Sequence, residues 1–81
     1  MIDNSTILVT GGTGSFGRKF IRYLLTHYNP HKVIVFSRDE IKQWEMSKLY
    51  QDEKRIRFFI GDVRDKDRLR LAINQVDYVI H

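Results

Sequence analysis

Four glycines crowd into the nine positions Val9 to Gly17 (VTGGTGSFG), directly after a short apolar run. Glycine tolerates positive φ and has no Cβ, so such a stretch can turn tightly and let main-chain amides approach an anion. Gly11, Gly14 and Gly17 stand in the spacing G-x-x-G-x-x-G. With a strand before it and a helix after it, this spacing places the free amides near Thr13, Gly14, Ser15 and Phe16 at a helix N-terminus. Its partial positive charge of about half a unit completes a site for a pyrophosphate. Gly17 is then expected to let the helix pack closely on the strand. The rival phosphate cradle, a P-loop, needs Lys and then Ser or Thr after its last glycine, and Arg18 and Lys19 stand there instead.

A second group of residues bears on which dinucleotide such a loop would hold. In dinucleotide folds an acidic residue ending the second strand, about 20 positions on, accepts from the adenosine ribose and favours NAD. Ser37 and Arg38 occupy that place here, with Lys42 one helical turn later. A hydroxyl, a guanidinium and an ammonium favour the extra 2′-phosphate of NADP. Asp39 and Glu40 oppose this weakly and are read as acids at a helix start. Asp62, after Gly61 at the end of the third strand, has two readings. Either it accepts from the adenine amino group, with the Val63 backbone alongside, or it organises the turn into the next helix.

Other chemistry is excluded more simply. His27 and His31 sit four apart, but Asn29 and Pro30 between them forbid a continuous helix, so they read as surface residues and no metal is expected. The chain has no cysteine, which removes disulfides and thiolate metal sites and favours a reducing, cytoplasmic setting. The longest apolar run, Val33 to Phe36, is far short of a membrane span, and Asp3 and Asn4 spoil a secretory signal. The net charge of +4 comes from 14 Lys and Arg against 10 Asp and Glu. In the most basic stretch, Arg64 to Arg70, the signs interleave with Asp65 and Asp67, the pattern of a solvated helix face. Neither nucleic acid nor membrane is expected as a partner.

The elements that must position these residues follow from periodicity. Short β-rich runs at Thr6 to Thr10, Lys32 to Phe36, Arg57 to Ile60 and Tyr78 to His81 read as strands. A helix from about Ser15 carries Phe16, Phe20, Ile21, Leu24 and Leu25 on one face and ends at Asn29 and Pro30. Ser37 and Glu40 have capping-box spacing ahead of a second helix, which carries Ile41, Trp44 and Leu49 to about Tyr50 and sets Trp44 in the core. Asp65 is expected to cap a third, with Leu69, Ala72, Ile73 and Val76 toward one side. Strands two and three are apolar almost without alternation, as in strands covered on both faces. The pattern βαβαβαβ with right-handed crossovers predicts an α/β fold, the N-terminal half of a Rossmann-like doubly wound parallel sheet, in strand order 3-2-1-4. At 81 residues, with strand four an uncovered edge, the chain reads as residues 1–81 of a longer NADP-binding domain whose catalytic and substrate portions lie elsewhere.

Thr10 to Gly17 (TGGTGSFG) has the T-G-x-x-G-x-x-G form of extended short-chain dehydrogenases/reductases. Together with Ser37 to Met46 (SRDEIKQWEM) and Arg57 to Arg68 (RFFIGDVRDKDR), it resembles the NADP-dependent UDP-N-acetylglucosamine 4,6-dehydratases of the inverting type. The resemblance implies a lyase of bacterial surface-sugar biosynthesis, of the pseudaminic acid kind. Hydride leaves C4 of the sugar, water is eliminated across C5 and C6, and hydride returns to C6. It also implies a homo-oligomer, UDP-N-acetylglucosamine as substrate, and a Tyr-x-x-x-Lys pair. Tyr28 with Lys32 and Tyr50 with Lys54 fit that expression, but both fall at the amino edge of the sheet. The cofactor edge lies some five residues of strand away, roughly 15 Å. The catalytic pair is therefore expected beyond His81, and the segment alone is expected to catalyse nothing. His81 itself ends the fourth strand at the cofactor edge. Alternatives left open are another extended family member, such as a nucleotide-sugar epimerase, and a non-catalytic module that binds NADP or RNA.

Overall fold

In a strand, successive side chains point to opposite faces, so an unbroken apolar run needs cover on both sides. The computed structural model, which describes residues 1–81, supplies that cover. Its elements are β1 (Thr6–Thr10), α1 (Ser15–His27), β2 (Lys32–Ser37), α2 (Glu40–Leu49), β3 (Ile56–Ile60), α3 (Lys66–Ile73) and β4 (Tyr78–Ile80). Ile7, Val9, Val33 and Val35 pack with Ile21 and Leu24 of α1 and Met46 of α2 on one face. Leu8 and Phe36 pack with Ala72 of α3 on the other. Each of these buried side chains larger than alanine contributes about 1.5–3 kcal/mol.

All strand pairings are parallel, and the order is β3-β2-β1-β4, as the sequence predicted. The register sets Val9 beside Val35 and Ile80, and Ser37 beside Ile60, so all strands end at one edge. The chain steps outward from β1 to β3 with α1 and α2 on one face, then crosses back to the far side of β1 with α3 on the other. Right-handed crossovers require that change of face. The order therefore reverses beside β1, which is where crevices form outside the carboxyl ends of open α/β sheets.

The helices correct several expectations. Asp39, not Ser37, is the N-cap of α2, its carboxylate accepting from the Lys42 amide at 3.0 Å. The inward face of that helix is Gln43, Met46, Ser47 and Tyr50, at positions i, i+3, i+4 and i+7. Trp44 accordingly stands outside, 61% exposed, with Ile41 and Leu49. Phe16 is likewise exposed, stacked on Phe20 at 5.7 Å along α1 rather than inserted in the core. In α3, Leu69 and Ala72 face the sheet as expected, while Ile73 is turned outward; the helix ends at Ile73, so Val76 packs on the sheet from the turn beyond it. Asp65 caps α3 as predicted, accepting from Arg68 N at 3.1 Å. No helix is long and apolar enough to cross a membrane.

Candidate functional site

The carboxyl ends of the strands open into a cleft of about 620 Å³. β2 is its centre post. The Gly11 amide donates to Phe36 O and the Gly61 amide to Ser37 O, each at 2.9 Å, so the turns after β1 and β3 hang from the last two carbonyls of β2. Gly11 takes φ +63°, a conformation that glycine adopts without strain. Gly12 has no room for a side chain: a Cβ there would lie 2.8 Å from Val35 Cγ1. Gly17 meets this turn rather than β1 itself, since a Cβ on it would lie 2.6 Å from Gly12 Cα. The glycine loop is thus folded flat against the sheet by β2 and α1 together.

Gly14 is the N-cap of α1 and offers no side-chain acceptor to the first turn, which also holds no acid. The amides of Gly12, Thr13, Ser15, Phe16 and Gly17 donate no hydrogen bond within the chain. Unsatisfied amides at a helix start, with the dipole behind them, favour an anion. Arg18 steadies the loop by donating from Nε to Thr13 O at 3.0 Å.

Of the residues expected at a site, the fold brings Gly11, Thr13, Gly14, Ser37, Arg38, Lys42, Asp62 and Val63 around this one cleft. Ser15, Phe16 and Gly17 do not line it; Ser15 and Phe16 are exposed at the start of α1, and Gly17 is buried beneath it. Thr10, Phe36, Asp39, Gly61, Arg64 and His81 complete the lining. His81 does reach the carboxyl edge, one residue past β4 rather than within it, with Nδ1 2.6 Å from Thr10 Oγ1. Arg64 had a local signal, standing two residues after Asp62 at the spacing of an Asx turn. Gln43, under the cleft and nearly fully buried, had none, because a helical glutamine reads as surface.

The acids of the cleft are already engaged. Asp62 accepts from the Arg64 amide at 2.9 Å and from its guanidinium at 2.7 Å, with Arg38 at 3.5 Å. The Arg64 side chain and amide, and then Arg38, hold the Asp62 carboxyl far below the usual carboxylate range. Its turn-organising role is therefore visible, in a residue that also faces the cleft. Asp39 is committed to the α2 cap. Three cations, Arg38, Lys42 and Arg64, set against these two carboxylates leave the cleft cationic. Tyr28 and Lys32 lie at the opposite edge, where Lys32 pairs with Thr6, the first residue of β1.

Residues 7–81 match the model of a family described as polysaccharide biosynthesis protein. The chain belongs to that family. Similar proteins include a UDP-N-acetylglucosamine 4,6-dehydratase (inverting) from Campylobacter jejuni (strain 81-176), 53% identical across the whole chain. The chain spans about a quarter, 24%, of that relative's length. Among solved structures, Pen from Bacillus thuringiensis superposes with a TM-score of 0.93 at 36% identity, over 99% of this chain and 25% of that one. A dTDP-glucose 4,6-dehydratase from Bacillus anthracis, in complex with NAD, superposes with a TM-score of 0.75 at 28% identity, over 93% and 25%. These neighbours share the Rossmann-like architecture of this polysaccharide biosynthesis family member.

Proposed function

We propose that this chain is the NADP-binding N-terminal part of a longer UDP-N-acetylglucosamine 4,6-dehydratase, a cytoplasmic homo-oligomeric lyase supplying bacterial surface sugars of the pseudaminic acid type. One observation carries the reading: the glycine loop, with its unsatisfied amides at the start of α1, reaches through Gly11, Thr13 and Gly14 into the cleft that Ser37, Arg38 and Lys42 line after β2. The first group suits a pyrophosphate, and the second a phosphate ester on the neighbouring ribose. The residues fit the dinucleotide on steric grounds as well, since Gly12 and Gly17 keep the loop flat where side chains would lift it.

The two nearby acids do not take the place of the NAD-type ribose acceptor. Asp39 is turned to its cap and Asp62 to Arg64, so a 2′-phosphate meets the free donors of Arg38 and Lys42 first. Arg38 is 73% exposed in its side chain and pairs only loosely with Asp62, which leaves most of its donors available. When bound, the nicotinamide would accept hydride from the sugar and return it. This chain's own residues bind and orient the other end of the cofactor: the loop amides the pyrophosphate, Ser37, Arg38 and Lys42 the phosphate ester, and Asp62 with Val63 the adenine side. The sugar and the residues that move its protons are assigned to the portion beyond His81, so the 81 residues alone are expected to turn over no UDP-N-acetylglucosamine.

Titration with NADP and with NAD tests the reading. NADP is expected to bind at least about tenfold more tightly, a difference of about 1.4 kcal/mol. Equal affinity for the two would remove NADP from the assignment, and binding of neither would remove the dinucleotide.

A further inference from the structure

Gln43 lies beneath the cleft on the inward face of α2, 4% exposed. Its Nε2 stands 3.0 Å from Phe59 O, 3.2 Å from Ser37 O, 3.4 Å from Val35 O and 3.0 Å from Ser37 Oγ. Carbonyl oxygens only accept, so three of them around one end of an amide require that end to be the NH2 group. The reversed amide would set an oxygen against three oxygens in a buried site. An amide nitrogen does not accept, so in the remaining contact Gln43 donates and the Ser37 hydroxyl oxygen accepts, the two amide hydrogens being shared among four oxygens. A hydroxyl carries one hydrogen. No group of the chain receives that hydrogen, and Ser37 lines the cleft.

We infer that Gln43 is a positioning residue for cofactor choice, holding the Ser37 hydroxyl as an acceptor on its inner side so that its hydrogen is presented to a phosphate ester in the cleft. The inference rests on the dinucleotide reading above and adds to it a residue outside the cleft. A phosphate oxygen can only accept, so a fixed donor suits it well. A ribose hydroxyl can donate or accept, and gains less from having one role imposed. With an apolar side chain at position 43, nothing holds the Ser37 oxygen as an acceptor, and its hydrogen is free to turn from the cleft. The Val35, Ser37 and Phe59 carbonyls also bind Gln43 to β2 and β3, which keeps its amide from moving with the ligand.

The test titrates the full chain with adenosine 2′,5′-bisphosphate and with adenosine 5′-monophosphate, so the affinity ratio isolates the 2′-phosphate. Gln43→Met, close in volume, is expected to lower that ratio by roughly tenfold, the scale of one hydrogen bond to a charged group. Ser37→Ala is expected to lower it by the same factor, and the double variant no further, because both remove one donor. Gln43→His, which restores a ring N–H, is expected to recover part of the ratio. A Gln43→Met protein that binds both ligands less well in equal proportion, or a double variant whose loss is the product of the single losses, overturns the inference. Should Gln43→Met fail to fold in a thermal scan, a folded Gln43→His protein with a ratio as low as that of Ser37→Ala overturns it equally. If the unmodified chain binds both ligands with one affinity, the NADP reading falls and the role of Gln43 falls with it. A ratio kept by the unmodified chain and by Gln43→Met alike sinks the inference alone.

Discussion

The two edges of the sheet use the same kinds of residue for opposite ends. At the amino edge, hydrogen-bonding capacity is consumed within the chain. Ser5 O accepts from the His31 and Lys32 amides, Asp3 accepts from the Asn29 amide, and Asp77 accepts from the Thr6 amide. Arg55 donates to Leu25 O and Tyr28 O, so it closes the C-terminus of α1, and it pairs with Glu53 at 2.7 Å. At the carboxyl edge, five amides of the glycine loop and most donors of Arg38 are left over. A fold that spends its polar groups on itself at one end and leaves them unspent at the other has placed its binding capacity by topology. Helix starts and glycine turns gather where strands end, and helix ends gather where they begin.

The largest effect that could break this contrast is at Gly17. A methyl group there would press on the Gly12 main chain at 2.6 Å, with backbone rather than a flexible side chain in the way. Gly17→Ala is expected to destabilise by about 3 kcal/mol, the upper range for overpacking, and to abolish nucleotide binding by lifting the loop. Thermal unfolding and an NADP titration read the two parts. A stable Gly17→Ala chain that still binds would show that the carboxyl edge does not depend on close packing of α1.

Next in size is Arg55→Ala at the amino edge, expected to lower stability by about 2 kcal/mol through lost charged hydrogen bonds while leaving the NADP to NAD ratio unchanged. The same pair gives this edge its acid response. The Glu53 pKa is held down to about 2, mainly by the Arg55 side-chain hydrogen bond. Its folded value lies below the usual carboxylate value of about 4.3, so the stabilisation is complete above that value and is lost as pH falls toward 2. Glu53→Gln is expected to flatten that part of an acid unfolding curve. A ratio that shifts in Arg55→Ala would mean that the two edges are coupled.

Arg38→Asp sharpens the contrast from the other side. It replaces a free donor with a carboxylate beside Asp62 and is expected to weaken NADP by at least about tenfold relative to NAD, with unfolding changed by less than about 0.5 kcal/mol. Isothermal titration with both cofactors measures it, and an unchanged ratio would leave Arg38 out of the cleft's chemistry.

What the sequence disclosed divides along the same line. The strand order, the glycine loop and the cap at Asp65 were legible because each depends on local pattern: apolar runs, turn residues and a side chain three positions from the amide it serves. The start of α2 was half legible. Ser37 and Asp39 both have capping oxygens, and only the β2 register, which extends the strand to Ser37, decides that Asp39 does the capping. Gln43 was illegible because its burial is set by β3, whose Phe59 carbonyl lies 16 residues away in sequence. Arg64 was passed over as one charge in a mixed run, yet its contact with Asp62 brings it to the cleft wall.

Trp44 gives the smallest effect and tests the comparison where the edges meet, since α2 starts at one and ends near the other. A tryptophan in a helix suggests core, but the inward spacing belongs to Gln43, Met46, Ser47 and Tyr50. Trp44 lies a quarter turn off it, with Lys48 Nζ 3.7 Å over its ring. An exposed cation–π contact is worth about 0.5 kcal/mol, so Trp44→Ala is expected to change unfolding by no more than that. Met46→Ala, two residues on and in the same buried cluster as Ile7 and Val33, is expected to lose about 2–5 kcal/mol. Paired denaturant curves compare the two. A Trp44→Ala loss near that of Met46→Ala would mean that the outer face of α2 is covered in solution, and that the polar economy separating the two edges extends to a third surface.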